Sequence, residues 1–115
     1  MSRRSISAIV ATGAIALVPA LGGIATGAPK ATVKLGDNFF SPTEKSVTAG
    51  TKVRFQWTGN HRHNVTKSSG PGAAFASRTT RTDGVNFAKP FTKTGTYRLI
   101  CTIHPTQMRL KLTVR

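Results

Sequence analysis

The stretch TKVRFQW, residues 51–57, narrows the choice of fold more than any other. Val53, Phe55 and Trp57 fall on one side of an extended chain, with Lys52, Arg54 and Gln56 on the other. A period of two places one apolar face against a core, whereas a helix would wind the same residues around its axis. The pattern returns in ATVKL, where Val33 and Leu35 alternate with Thr32 and Lys34. It returns again in GTYRLICTI, through Tyr97, Leu99 and Cys101, and in LKLTV, through Leu110, Leu112 and Val114. VNFAKPF offers Val85, Phe87 and, past an irregularity at Pro90, Phe91. HNVTKS reads as a further short strand after the TGN turn, and the Cys101 strand is expected to end near Ile103. Turn residues at Ser41-Pro42 and Gly50, and the Gly-, Pro- and Ser-rich stretch 68–84, punctuate these runs. Beyond residue 28 no helical pattern exceeds two turns. Short, evenly spaced strands of this kind predict an all-β domain over residues 29–115, a two-sheet β-sandwich or a Greek-key barrel.

Residues 1–28 read differently. MSRR supplies a positive start, and ISAIVATGAIALVPALGGIA is an apolar run that ends in small residues. This is the layout of a signal peptide, with cleavage expected near Gly27 or Ala28. Gly27 is favoured, because Pro29 would directly follow a cut at Ala28. The run is long enough to cross a bilayer, which needs about 20 apolar residues. Its Gly and Pro content and its small-residue exit favour cleavage over anchoring. SRRSIS resembles a twin-arginine signal. With no cysteine near the cut, lipid attachment there is excluded. The expected product is exported, to a periplasm, an extracellular space or a cell envelope. Membrane contact is expected only through the leader or through envelope association.

Export sharpens the question posed by Cys101, the sole cysteine of the chain. Oxidising compartments favour paired cysteines. A lone one is a buried inert thiol, an intermolecular disulfide or a metal ligand. Its neighbours decide. In CTIHPTQM two residues separate Cys101 from His104, and three separate His104 from Met108. Upstream stands His63. His104 to Gln107 must turn at the end of the Cys101 strand, which lets three side chains converge. His63 reaches the same point if its own strand neighbours that of Cys101. His61, two residues earlier, is expected to face solvent. Trp57 reads as core packing.

A thiolate, two imidazoles and a thioether select copper. The sulfurs suit Cu(I), the imidazoles suit Cu(II), and His₂Cys with a weak axial Met is the arrangement that copper favours. Zinc prefers four strong ligands and gains little from a thioether. With no position left open for a substrate, hydrolysis and oxygen activation are not expected, and the chain reads as no enzyme. A bound metal would also stabilise a small core that has no disulfide.

These motifs resemble the cupredoxins, small blue-copper proteins of the plastocyanin and amicyanin type. The likeness covers the whole segment beyond the leader. NFFSPTEKSVTAGTKVRFQW matches the family's opening, Asn60 and HNV match its first-ligand region, and PFTKTGTYRLICTIHPTQM matches its closing region. The resemblance implies an eight-stranded Greek-key sandwich holding one copper ion. It implies His63, Cys101 and His104 as equatorial ligands and Met108 as the axial one. Asn64 resembles the family's asparagine that ties the first-ligand strand to the cysteine loop, with Thr102 as its expected partner here. In two places the chain departs from the pattern. Its loop from His104 to Met108 differs by one residue from several relatives, and Leu110 stands where many have glycine.

The expected function is that of a type 1 copper protein carrying single electrons between redox partners. The alternative is a copper carrier or buffer protein. Net charge is +14, from 17 basic and 3 acidic residues. Without Arg3 and Arg4, 15 bases and 3 acids leave +12. Such a field suits a redox partner with an acidic surface. Nucleic-acid binding is not expected, because the bases are scattered and no basic cluster is interleaved with exposed aromatics. A monomer is expected.

Overall fold

The computed structural model describes residues 29–115; the expected signal peptide, residues 1–28, lies outside them. The described residues form eight strands and no helix: β1 (Lys30–Gly36), β2 (Phe39–Ser41), β3 (Glu44–Val47), β4 (Thr51–Trp57), β5 (Thr66–Ser69), β6 (Gly84–Phe91), β7 (Gly95–Ile100) and β8 (Arg109–Val114). Two four-stranded sheets result, ordered β2-β1-β4-β6 and β3-β8-β7-β5. Both are mixed. β1 runs parallel to β4 and β3 parallel to β8, while the other neighbours are antiparallel. Parallel partners cannot be joined by a hairpin, so the chain passes repeatedly from one sheet to the other. This is the predicted two-sheet sandwich.

The alternating residues do what their spacing dictates. Val33, Leu35, Val53, Phe55 and Trp57 of one sheet meet Tyr97, Leu99, Leu110, Leu112 and Val114 of the other, all buried. Each such side chain contributes about 1.5–3 kcal/mol on burial. Tyr97 keeps its hydroxyl satisfied by donating to the Lys93 carbonyl (2.7 Å).

β6 departs from the expectation. Its irregularity lies at Asn86 rather than Pro90: Phe55 pairs with Phe87 but Gln56 pairs with Val85, so Asn86 is an extra residue. A bulge of one residue reverses the faces. Phe87 stays on the inner face, and Val85 turns outward, 45% exposed. The side chain of Asn86 accounts for the bulge, because it donates to the Thr82 carbonyl (2.6 Å) and accepts from Arg78 (3.1 Å). Pro90 sits in regular register because β6 is an edge strand. Lys52, opposite Pro90, donates its N–H to the Pro29 carbonyl on the other side (2.9 Å), so no ladder bond is lost.

At one end of the sandwich β7 stops at Ile100, three residues earlier than the alternation suggested. The turn begins at once, with His104 N–H donating to the Cys101 carbonyl (3.1 Å). HNVTKS also forms less strand than expected, since only Thr66–Ser69 is continuous. His63 instead makes a single bridge to Thr80 in the long loop between β5 and β6.

Candidate metal centre

Three segments converge at this end. The first carries His63, Asn64 and Val65 into β5. β5 pairs with β7, Thr66 opposite Ile100 and Lys67 opposite Leu99, so His63 enters beside the strand that delivers Cys101. The second segment is the turn 101–108. Its ends are tied by Cys101 N–H donating to the Met108 carbonyl (3.2 Å), and its interior by Met108 N–H donating to the His104 carbonyl (2.9 Å). Cys101 and Met108 thus leave β7 and enter β8 side by side, both fully buried. The third is the β1–β2 turn, which brings Asp37.

His63 is completely buried. Its backbone is fixed from two directions. It exchanges both N–H···O bonds with Thr80 (2.9 and 3.1 Å), and Trp57 Nε1–H donates to the carbonyls of Thr80 (2.9 Å) and His63 (3.2 Å). Trp57 is therefore core packing and a clamp together. The two imidazole nitrogens of His63 have opposite fates. Nε2 lies 3.3 Å from Asp37 Oδ1, whereas Nδ1 has no hydrogen-bond partner and is the sole orphaned buried polar side-chain atom among the described residues. A buried nitrogen lone pair without a donor is costly unless something else takes it. The His63 and His104 rings stand 5.5 Å apart, tilted by 55°. The thiol of Cys101 is free. Two imidazoles, a thiol and a thioether carried to one end of the sandwich are the donor set that copper prefers, and a metal on Nδ1 would relieve the orphan. The residues present fit the ion.

Asn64 lies beside His63, 3% exposed, and fills its bonding capacity. Its Nδ2 donates to Thr102 Oγ1 (2.8 Å) and Thr79 Oγ1 (2.9 Å). Its Oδ1 accepts from Thr66 Oγ1 (2.9 Å) and from Thr102 N–H (3.1 Å). The segment bearing His63 is thereby joined to the turn bearing Cys101.

The sequence pointed to Asn64 and Thr102 but not to Asp37, Thr79 or the bonding role of Trp57. Asp37 Oδ1 accepts from Asn60 N–H (2.8 Å) and His61 N–H (3.1 Å), and faces His61 Nδ1 (3.3 Å) as well as His63. Partial burial pushes its carboxyl up, but the His63 bond, the two amides and the charge of His61 outweigh this and hold it below the usual value. A signal was present: Asp37 is one of only three acids in a chain of 17 bases. His61 faces solvent, its side chain 66% exposed. Outside the buried corner, Asn38, His61, Arg62, Ile103 and half-buried His104 line a depression of about 360 Å³.

Residues 28–115 match the family of copper binding proteins described as plastocyanin/azurin. Among solved structures, the fold is similar to a copper-containing nitrite reductase from Thermus scotoductus SA-01, with a TM-score of 0.70 and 26% identity over 84% of this chain. The chain spans only 25% of that enzyme's length. A reduced amicyanin matches with a TM-score of 0.66 and 28% identity, covering 81% of this chain and 87% of its own. A purple cupredoxin from Nitrosopumilus maritimus, 24% identical, shares the fold with a TM-score of 0.64 over 74% of this chain and 99% of its own. No curated protein matches the sequence.

Proposed function

The chain belongs to the plastocyanin/azurin family of copper-binding proteins, and on that premise we propose that it is an exported type 1 copper protein that carries single electrons between redox partners. Its cofactor is copper, one ion per chain. The observation that supports the reading most directly is the orphaned Nδ1 of fully buried His63, beside a turn bearing Cys101, His104 and Met108. His63, Cys101 and His104 would hold the ion as strong donors, with Met108 as a weak fourth. Bound there, copper supplies a one-electron couple.

The chain's own residues keep the surroundings fixed. Thr80 and Trp57 hold the His63 backbone, and Asn64 joins that segment to the cysteine turn through Thr102. Burial of His63, Cys101 and Met108 excludes water from three of the four donors. His104 is the exception. Half-buried and next to Ile103 (46% exposed) and exposed Pro105, it offers the shortest way out for an electron. A partner with an acidic surface would dock over this face, drawn by the +12 charge that remains without Arg3 and Arg4. The proposal places the protein outside the cytoplasm as a monomer, with residues 1–28 as its leader.

The second reading is a copper carrier or buffer, because the same donor set would hold copper for delivery as well as for electron transfer. Voltammetry and chelator competition on the copper-loaded full chain separate the two. A reversible one-electron wave, with copper retained against a weak chelator, is expected of an electron carrier. Ready loss of copper to that chelator, without a reversible wave, would overturn it in favour of metal delivery.

A further inference from the structure

We infer that Asp37 is a positioning residue for the metal centre: it holds His63 in the one tautomer that leaves Nδ1 free to bind copper, and its charge favours Cu(II) over Cu(I). The inference deepens the proposed copper reading and rests on it for its second half only. An ionised carboxylate accepts hydrogen bonds and cannot donate them. With Asp37 Oδ1 at 3.3 Å from His63 Nε2, the proton of the neutral ring must sit on Nε2, and Nδ1 keeps its lone pair. That lone pair is the unpartnered one, in a fully buried side chain. A histidine whose second nitrogen is bonded to a carboxylate is fixed in orientation and made a better metal ligand.

Asp37 is itself held in place, which distinguishes it from a passing surface acid. Its Oδ1 is clasped by the amides of Asn60 (2.8 Å) and His61 (3.1 Å). Sharing one oxygen among these donors accounts for the long 3.3 Å reach to Nε2, beyond the 2.7–2.9 Å of an unshared charged bond. Gly59 makes the cradle possible, because a Cβ there would collide with the Asp37 carboxylate. The acid comes from the β1–β2 turn and the histidine from the segment before β5, so the contact joins two elements 26 residues apart.

Two readouts test the inference. The first is nitrogen NMR of the imidazoles in the metal-free full chain. His63 is expected to carry its proton on Nε2, and Asp37→Ala to give a mixture of tautomers. A proton on Nδ1 in the parent, or an unchanged single tautomer in Asp37→Ala, would overturn the positioning role whether or not copper binds. The second is the reduction potential of the copper-loaded chain at high salt, where diffuse charge effects are screened. Asp37→Asn keeps the shape and removes the charge. A tenfold loss of Cu(II) preference over Cu(I) raises the potential by about 59 mV for a one-electron couple. Asp37→Glu is expected to restore most of that shift. An unchanged potential in Asp37→Asn would overturn the electrostatic half. Failure of the copper reading itself would show separately, as a parent chain that binds no copper, and the tautomer readout would still decide the positioning role.

Discussion

Replacing Asn64 by alanine removes four hydrogen bonds at once: two donated by Nδ2, to Thr79 and Thr102, and two accepted by Oδ1, from Thr66 and the Thr102 amide. A hydrogen bond between neutral groups contributes about 0.5–1.5 kcal/mol net. Thr79 and Thr102 are exposed and Thr66 partly so, so water replaces some of what is lost, and the total falls near the lower half of the summed range, about 2–3 kcal/mol. For a domain of this size each kcal/mol moves the melting temperature by about 4–8 °C. The metal-free Asn64→Ala chain should therefore melt roughly 10–20 °C below the parent. Copper affinity should fall as well, by about 10–100-fold, because the tie between the His63 segment and the cysteine turn is cut while every ligand remains. Calorimetric melts of the metal-free chain and competition titration with copper measure the two effects. Thr102→Val, which keeps its amide bond to Asn64 Oδ1, should show a smaller loss in both. A melting temperature within about 2 °C of the parent, together with unchanged affinity, would refute the reasoning, since the margin is smaller than one typical bond.

Other outcomes follow from the same geometry. Met108→Leu should retain copper with a raised reduction potential, because losing the fourth donor's electron density disfavours Cu(II) more than Cu(I); an unchanged potential would show that Met108 is not a ligand. Tyr97→Phe should lower stability at neutral pH by about 1 kcal/mol through loss of the bond to Lys93. Burial raises the Tyr97 pKa above its ordinary 10.0. The folded chain thus favours the neutral phenol, and stability is full below pH 10 and lost as the pH rises beyond it. Melts above pH 10 should fall less steeply for the phenylalanine variant. Electron transfer to the physiological acceptor should slow with salt, as the Debye length shrinks from about 30 Å at 0.01 M to about 10 Å at 0.1 M; a flat dependence would mean apolar docking around His104 and Pro105, with the basic surface serving another end.

The sheets were legible because their code is local. Period-two alternation in β1, β4, β7 and β8 fixes which residues face the core, and burial follows it at Val33, Phe55, Leu99 and Leu112. β6 is not legible in the same way, because a bulge leaves no mark in hydrophobicity. Its cause is the side chain of Asn86 reaching Thr82 and Arg78, contacts that exist only once the loop is folded. Nor could alternation end β7 at Ile100, since the stop is set by a turn bond from His104 to Cys101. At the site, the spacing of Cys101, His104 and Met108 could be read directly because one turn carries all three. The Asn64–Thr102 contact spans 38 residues and was reached through the resemblance to the cupredoxins. Asp37 lies 26 residues from His63, and nothing in DNFFSP marks the carboxylate as more than a turn residue; only the scarcity of acids hints at it.

The most direct test of a buried copper–thiolate centre is an absorption titration of the full chain with Cu(II). An intense visible band from Cys101 thiolate-to-copper charge transfer is expected, saturating at one equivalent, bleached by a reductant and absent in Cys101→Ser, whose alcohol cannot replace the thiolate. A chain that binds copper without that band, or a serine variant that keeps it, would contradict the assignment.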